Sequence, residues 1–169
     1  RSLFQNTTGY HNTAVGFNAL YSSTTSTCNS SFGSLSMYTN TTGYYNSAFG
    51  YGAMFSNVDG ASNTAYGYYA MRYNTSANNG TAIGCNAMNN NTTGMGNTGV
   101  GNYSLFGNST GSNNTAVGYY SGYATFTFSQ CTFIGSNNYI SADRTNVSSF
   151  GYGVVTAQST GNNQVLLGN

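Results

Sequence analysis

Ten glycines divide this chain at one interval. Gly16, Gly33, Gly50, Gly67, Gly84, Gly101, Gly118 and Gly135 are 17 residues apart, Gly151 follows after 16, and Gly168 after 17 again. A fixed period of this length marks a stacked repeat array, in which each unit buries its apolar side only against its neighbours. With the glycine as position 5, the unit reads N-T-A-V-G-Y-x-A-M-x-x-N-T-T-G-x-x, and segments starting at Asn12, Asn46, Asn63, Asn97 and Asn114 keep most of it. A single repeat domain over residues 1–169 absorbs the whole period, with no second domain.

Seventeen residues are too few for a pair of helices, and the Asn, Ser, Thr and Gly content disfavours helix. The chain therefore predicts an all-β fold, a parallel β-solenoid (β-roll) of ten 17-residue coils. Positions 1–4 would form one strand, Gly at 5 a tight turn, positions 6–10 a second strand, and positions 11–17 a return loop with N-T-T-G as its turn. Coils stacked at about 4.8 Å would make a rod roughly 48 Å long.

Two columns carry the expected core. Position 4 holds Val15, Phe32, Phe49, Tyr66, Ile83, Val100, Val117, Ile134, Phe150 and Leu167; position 9 holds Leu3, Leu20, Met37, Met54, Met71, Met88 and Leu105, then Gly122, Tyr139 and Val155. Positions 3 and 8 are mostly alanine. Strand alternation puts positions 2 and 4 on one face and 1 and 3 on the other, which marks the position-3 alanines as the expected contact with sister chains. Asn12, Asn29, Asn46, Asn63, Asn97 and Asn114 share position 1, where stacked amides would bond to one another along the axis.

The N-T-A-V-G-x-x-A-L pattern at 12–20, repeated in related form at 46–54 and 114–118, resembles the head repeats of trimeric autotransporter adhesins and related viral and phage tail-fibre repeats. That resemblance implies a left-handed parallel β-roll, trimeric assembly and a surface-exposed stalk or adhesion role. The 17-residue unit is longer than that family's, by the N-T-T-G return.

Composition narrows the chemistry. Charged residues make up 3% of the chain and the net charge is +1. Three arginines and no lysine leave no basic stripe for a phosphate backbone, so nucleic acid is excluded as a partner. No run of about 18 apolar residues is present for membrane insertion, and no leader is recognisable. Asp59 and Asp143 lie five coils apart and His11 is the lone histidine, so no acid–base pair or catalytic triad assembles. Cys28, Cys85 and Cys131 fall at positions 17, 6 and 1 of different coils, too distant for an intrachain disulfide and without metal-ligand spacing. The chain reads as no enzyme, with no cofactor and no metal.

Asn-x-Ser/Thr sequons begin at Asn6, Asn40, Asn74, Asn91 and Asn108, all at position 12, and also at Asn29, Asn102 and Asn146. If position 12 sits in an exposed turn, those five would form a line of glycan attachment points. Arg1 falls at position 7 and Asn169 at position 6, so a second copy would continue the repeat in phase. Ser2, Leu3 and Phe4 are the expected cover for Val165, Leu166 and Leu167 of the preceding copy. The expected function is a structural subunit of an extracellular, cell-surface or virion-surface filament that polymerises head to tail, as a single rod or a trimer. Two alternatives remain open: an adhesin or tail-fibre segment whose Phe17, Tyr51, Tyr68, Tyr119 and Tyr152 stack on glycans or a host surface, and an ice-binding protein using Thr13, Thr64, Thr81, Thr98, Thr115 and Thr132.

Overall fold

The computed structural model describes residues 1–124, 127–139, 143–155 and 162–168. Its strands, in chain order, are β1 (Thr13–Val15), β2 (Ser30–Phe32), β3 (Ser47–Phe49), β4 (Thr64–Tyr66), β5 (Thr81–Ile83), β6 (Thr98–Val100), β7 (Thr115–Val117), β8 (Phe128–Ser129), β9 (Thr132–Ile134), β10 (Arg144–Thr145), β11 (Val147–Phe150) and β12 (Gln164–Leu167). No helix occurs among the described residues. Ten strands form one parallel sheet in the order β1 to β7, then β9, β11 and β12, while β8 and β10 pair in a second. The protein is an all-β parallel solenoid.

Like residues pair with like. Ala48 lies opposite Ala65, and Ala65 opposite Ala82. Eight strands, β1 to β7 and β9, keep the 17-residue register. The regular part is thus about eight turns rather than ten. The step from Thr132 to Ser148 is 16, as are those from Phe128 to Arg144 and from Tyr139 to Val155, so the lost residue falls between Tyr139 and Arg144. Asn169, at the expected polymer junction, lies outside the described residues.

The expected second strand over positions 6–10 is absent from the regular coils. Positions 7 and 9 lie in the left-handed region instead, as at Asn18 (φ 54°) and Leu20 (φ 49°), and position 17 does the same at His11 (φ 56°) and Cys28 (φ 56°). In the coils up to Gly122, three positions with positive φ and the position-5 glycine make the turns. Coil-to-coil hydrogen bonding persists through the turn, with Leu20 N donating to Ser36 O at 3.0 Å and Met37 N to Ala53 O at 2.9 Å. This backbone explains the residue choice at position 9 from Leu3 to Leu105: leucine and methionine tolerate φ near 50°, whereas Val or Ile would crowd the backbone there. Position 5 is stricter. Gly67 has φ 141°, and a Cβ on it would overlap the carbonyl of Gly84 in the next coil.

The interior corrects the expected core. Position 9 is buried, from Leu20 through Met37, Met54, Met71 and Met88 to Leu105, and so are Ala48, Ala65, Ala82 and Ala116 at position 3. Position 4 points outward: Val15, Tyr66, Ile83, Val117, Ile134, Phe150 and Leu167 are exposed. The alternation of a three-residue strand can turn either its middle residue or its flanking pair inward, and the long position-9 side chains leave room only for alanine. The position-3 alanines therefore pack inside their own coil and are not a surface for sister chains.

Two amide ladders complete the interior. At position 1, Asn29 Oδ1 accepts from Asn46 N at 2.9 Å, and Asn46 Oδ1 from Asn63 N at 3.0 Å, while each Nδ2 donates to a position-15 carbonyl, such as Asn46 to Gly60 O at 2.7 Å. At position 12, Asn57 Nδ2 donates to Asn40 Oδ1 and Asn74 Nδ2 to Asn57 Oδ1, both at 2.6 Å. Where Gly80 replaces the position-1 asparagine, the Met71 side chain fills the space a Cβ would need.

Candidate interaction surfaces

The flat face of the sheet is built by positions 2 and 4. Threonine or serine forms one row as far as Ser148, with Val165 at its end, and Val, Phe, Tyr, Ile or Leu the other, from Val15 to Leu167. Phe32 and Phe49 stack at 4.8 Å between centroids, and Phe49 and Tyr66 at 5.6 Å. The face carries no charged side chain. Seven of the ten side chains in that apolar row are exposed and the other three, Phe32, Phe49 and Val100, half-buried, which makes the row a candidate contact surface. The candidate ice-binding threonines lie in the companion row, beside bulky apolar residues rather than beside a second row of threonine.

Aromatic side chains build ladders on the other sides. At position 10, Phe4, Tyr21, Tyr38 and Phe55 stack in sequence, each 5.2 Å from the next; Arg72 and Asn89 interrupt, and Phe106 and Tyr123 resume at 5.4 Å. The Arg72 guanidinium lies 4.1 Å from the Tyr69 ring centroid. At positions 6 and 7, Tyr51 stacks on Tyr68 at 5.6 Å and meets the edge of Tyr69 at 5.4 Å, and further along the rod Tyr103 stacks on Tyr120 at 4.8 Å. Stacking along the axis uses ring faces against one another and leaves edges and hydroxyls to solvent. The faces with which Tyr51 and Tyr68 were expected to grip a sugar are thus partly spent within the molecule. Desolvation and phenolate repulsion from neighbouring rings hold the phenol of Tyr120 above its ordinary value, and hydrogen bonding with Tyr69 does the same for Tyr51. The position-10 ladder and the position-7 tyrosines escaped the sequence reading, although the recurrence of aromatics at 17-residue steps was there to find.

The expected glycan stripe is corrected by burial. Asn40 and Asn74 are 0% exposed, Asn91 and Asn108 1%, and their amides are held in the interior ladder, Asn91 Nδ2 donating to Gly94 O and Asn108 Nδ2 to Gly111 O. The turn predicted as exposed folds inward, where the asparagine amide donates to the position-15 carbonyl three residues on and to the asparagine oxygen of the preceding coil. Asn29 is buried in the position-1 ladder. Asn6, Asn102 and Asn146 are exposed, but they sit at positions 12, 6 and 17 and share no line.

The expected end contacts also change partners. Leu3 belongs to the position-9 column and Leu166 to position 3, and both pack against the core from its two ends. In the register of the sheet, a further coil beyond β12 would set a Thr13–Val15 strand, not Ser2, Leu3 and Phe4, over Val165, Leu166 and Leu167. Leu3 would follow Val155. Val165 and Leu167 face outward, 70% and 78% exposed.

The polar groups offer little convergence. Thr127 N donates to Asp143 Oδ1 at 2.9 Å in a cavity of about 280 Å³ that Arg144 and Asn162 also line, whereas Asp59 is exposed on a distant coil. All three cysteines are free; Cys28 Sγ lies 4.0 Å from His11 Nδ1, and burial pushes the Cys131 thiol up. Among the described residues, no group of three or more His, Cys, Asp or Glu could hold a metal ion, and no helix is long and apolar enough to cross a membrane.

No protein-family model, curated protein or solved structure matches the chain.

Proposed function

We propose that this chain is a structural subunit of a filament at a cell or virion surface or outside the cell, in which further copies extend the coil stack head to tail. The observation that carries this reading is the sheet itself. Its strands stack in parallel, coil on coil, in one 17-residue register from β1 through β9, which is the arrangement that coils of a further copy would continue. An open parallel edge is a template for one more strand, and contacts between unlike ends generate an open fibre rather than a closed ring. Head-to-tail growth places a Thr13–Val15 strand on β12 and Leu3 behind Val155.

Lateral packing is the second element of the proposal. The apolar row from Val15 to Leu167 fits the same face of neighbouring rods, as a pair or the trimer implied by the resemblance to autotransporter heads. A contact roughly 48 Å long and one strand wide reaches the scale of about 1,000 Å² in total that a specific interface needs. An adhesive role for the exposed tyrosine edges is the alternative.

The two contacts separate by mutation. Leu166→Asp puts a charge at the axial end and should abolish elongation seen by electron microscopy. Tyr66→Lys with Val100→Lys charges the flat face and should leave elongation intact while splitting bundles into single threads. Elongation unchanged by Leu166→Asp would overturn the axial contact.

A further inference from the structure

A rod loaded along its axis gains from covalent ties between coils, and this chain lacks the usual ones. It has no lysine for a side-chain amide link, and its three cysteines are free. Tyrosine is abundant, at 16 residues; besides the single Tyr21–Tyr38 pair, the fold gathers three or more tyrosines from successive coils at two places.

In the first, Tyr51 stacks on Tyr68 with centroids 5.6 Å apart and planes within 14°, and Tyr69 meets Tyr51 at 5.4 Å and Tyr68 at 4.3 Å. Gly52 makes this possible, because the Tyr69 ring edge occupies the space a Cβ on that residue would take. In the second, Tyr103 stacks on Tyr120 at 4.8 Å, Tyr119 tilts against Tyr120 at 4.5 Å, and Tyr123 lies 4.8 Å from Tyr120. Tyr51, Tyr68 and Tyr119 are exposed, so an oxidant reaches both clusters.

We propose that these two clusters, Tyr51 with Tyr68 and Tyr69, and Tyr103 with Tyr119, Tyr120 and Tyr123, are sites of oxidative dityrosine cross-linking between coils. The oxidant required is hydrogen peroxide acting through a haem peroxidase. Each of two phenols gives up its O–H hydrogen atom, and the two phenoxyl radicals join through the ring carbons next to the oxygens. The hydrogens on those carbons then move to the oxygens and restore both phenols. One carbon–carbon bond forms, two hydrogen atoms leave, and one peroxide becomes two waters. Rings held in contact couple ahead of diffusional encounters because their meeting is already unimolecular.

The test uses dilute full-length chains, so its result does not depend on whether filaments form. Folded protein is treated with peroxidase and peroxide, digested with chymotrypsin, and cross-linked peptides are mapped by mass spectrometry alongside dityrosine fluorescence. Intrachain links from Tyr51 to Tyr68 or Tyr69, and from Tyr103 to Tyr120 or Tyr123, are the expected majority. Tyr103→Phe with Tyr120→Phe should lose the second set and keep the first; the change removes only the two hydroxyls, so the stacked rings remain packed. Exposure alone would favour Tyr152 at 68% and Tyr45 at 62%. Links concentrated there, links chiefly between chains, or an equal yield from urea-unfolded protein would overturn the proposal.

Discussion

Residues 12–124 and the described residues beyond them (127–139, 143–155 and 162–168) wind the same solenoid around different interiors. In the first region, buried asparagines bond to one another and to backbone from coil to coil, beside a column of Leu and Met. In the second, Phe128 stands where position 15 was mostly glycine, and Phe133 where position 3 was mostly alanine. Both rings are buried and meet edge to face at 5.4 Å. The backbone at Phe128–Ser129 forms β8, which pairs with β10. Gly122 accommodates the change: it sits in the Leu and Met column, and a Cβ on it would approach Phe133 Cδ2 at 2.9 Å. The position-5 glycine persists in both regions. Backbone turns therefore define this fold, and either polar ladders or apolar packing fills it.

The largest effect should come where the two regions agree. Gly67→Ala and Gly135→Ala each force a side chain to φ above 115° and against the next coil's carbonyl, at an expected cost of about 3 kcal/mol or more in chemical denaturation. Tolerance of either change would break the claim that this turn is common to both interiors.

The next tests separate the regions. Phe133→Ala should cost about 3–5 kcal/mol through its cavity, and Gly122→Leu should destabilise by overlap. Together they recreate the N-terminal arrangement, so the double variant should recover part of the loss, with a coupling of about 2 kcal/mol in a double-mutant cycle. Additivity would show that the two sites do not share one space. Asn57→Ala should cost about 2–3 kcal/mol, because it orphans Asn40 Oδ1 and weakens the hold on Asn74.

Met71→Leu should be nearly neutral, while Met71→Ile, of similar volume, should lose about 1–2 kcal/mol to the left-handed backbone at φ 51°. Equal melting temperatures for the two would leave the leucine and methionine preference without its backbone cause.

The smallest effect is that of pH. Tyr51, Tyr68, Tyr120 and Cys131 all titrate higher in the fold than their ordinary values of 10.0 for tyrosine and 9.0 for cysteine. The fold favours their neutral forms. Their contribution is complete below those ordinary values and is lost as pH rises through the raised ones, so melting temperature should fall only above about pH 9. Tyr120→Phe should shrink that fall.

The repeat, the all-β class and the asparagine ladder at position 1 were legible in the sequence, because identical residues at one interval demand identical surroundings. The direction in which a three-residue strand faces was not. T-A-V alternates equally well with alanine in or out, and only the size of Met54 or Met71 across the coil settles it. The asparagine of N-T-T-G misled for a related reason: a polar residue beside glycine reads as a surface turn, yet a ladder of amides satisfies it in the interior. The left-handed residues at positions 7, 9 and 17 were hidden because so many of them are not glycine; Tyr69, Met71 and Cys28 give no composition signal.

Cryo-electron microscopy of assemblies formed by the full-length chain tests the central claim most directly. Continuous threads are predicted, with coil planes about 4.8 Å apart running unbroken from β12 of one copy onto β1 of the next. Discrete short rods that remain single at every concentration would contradict it.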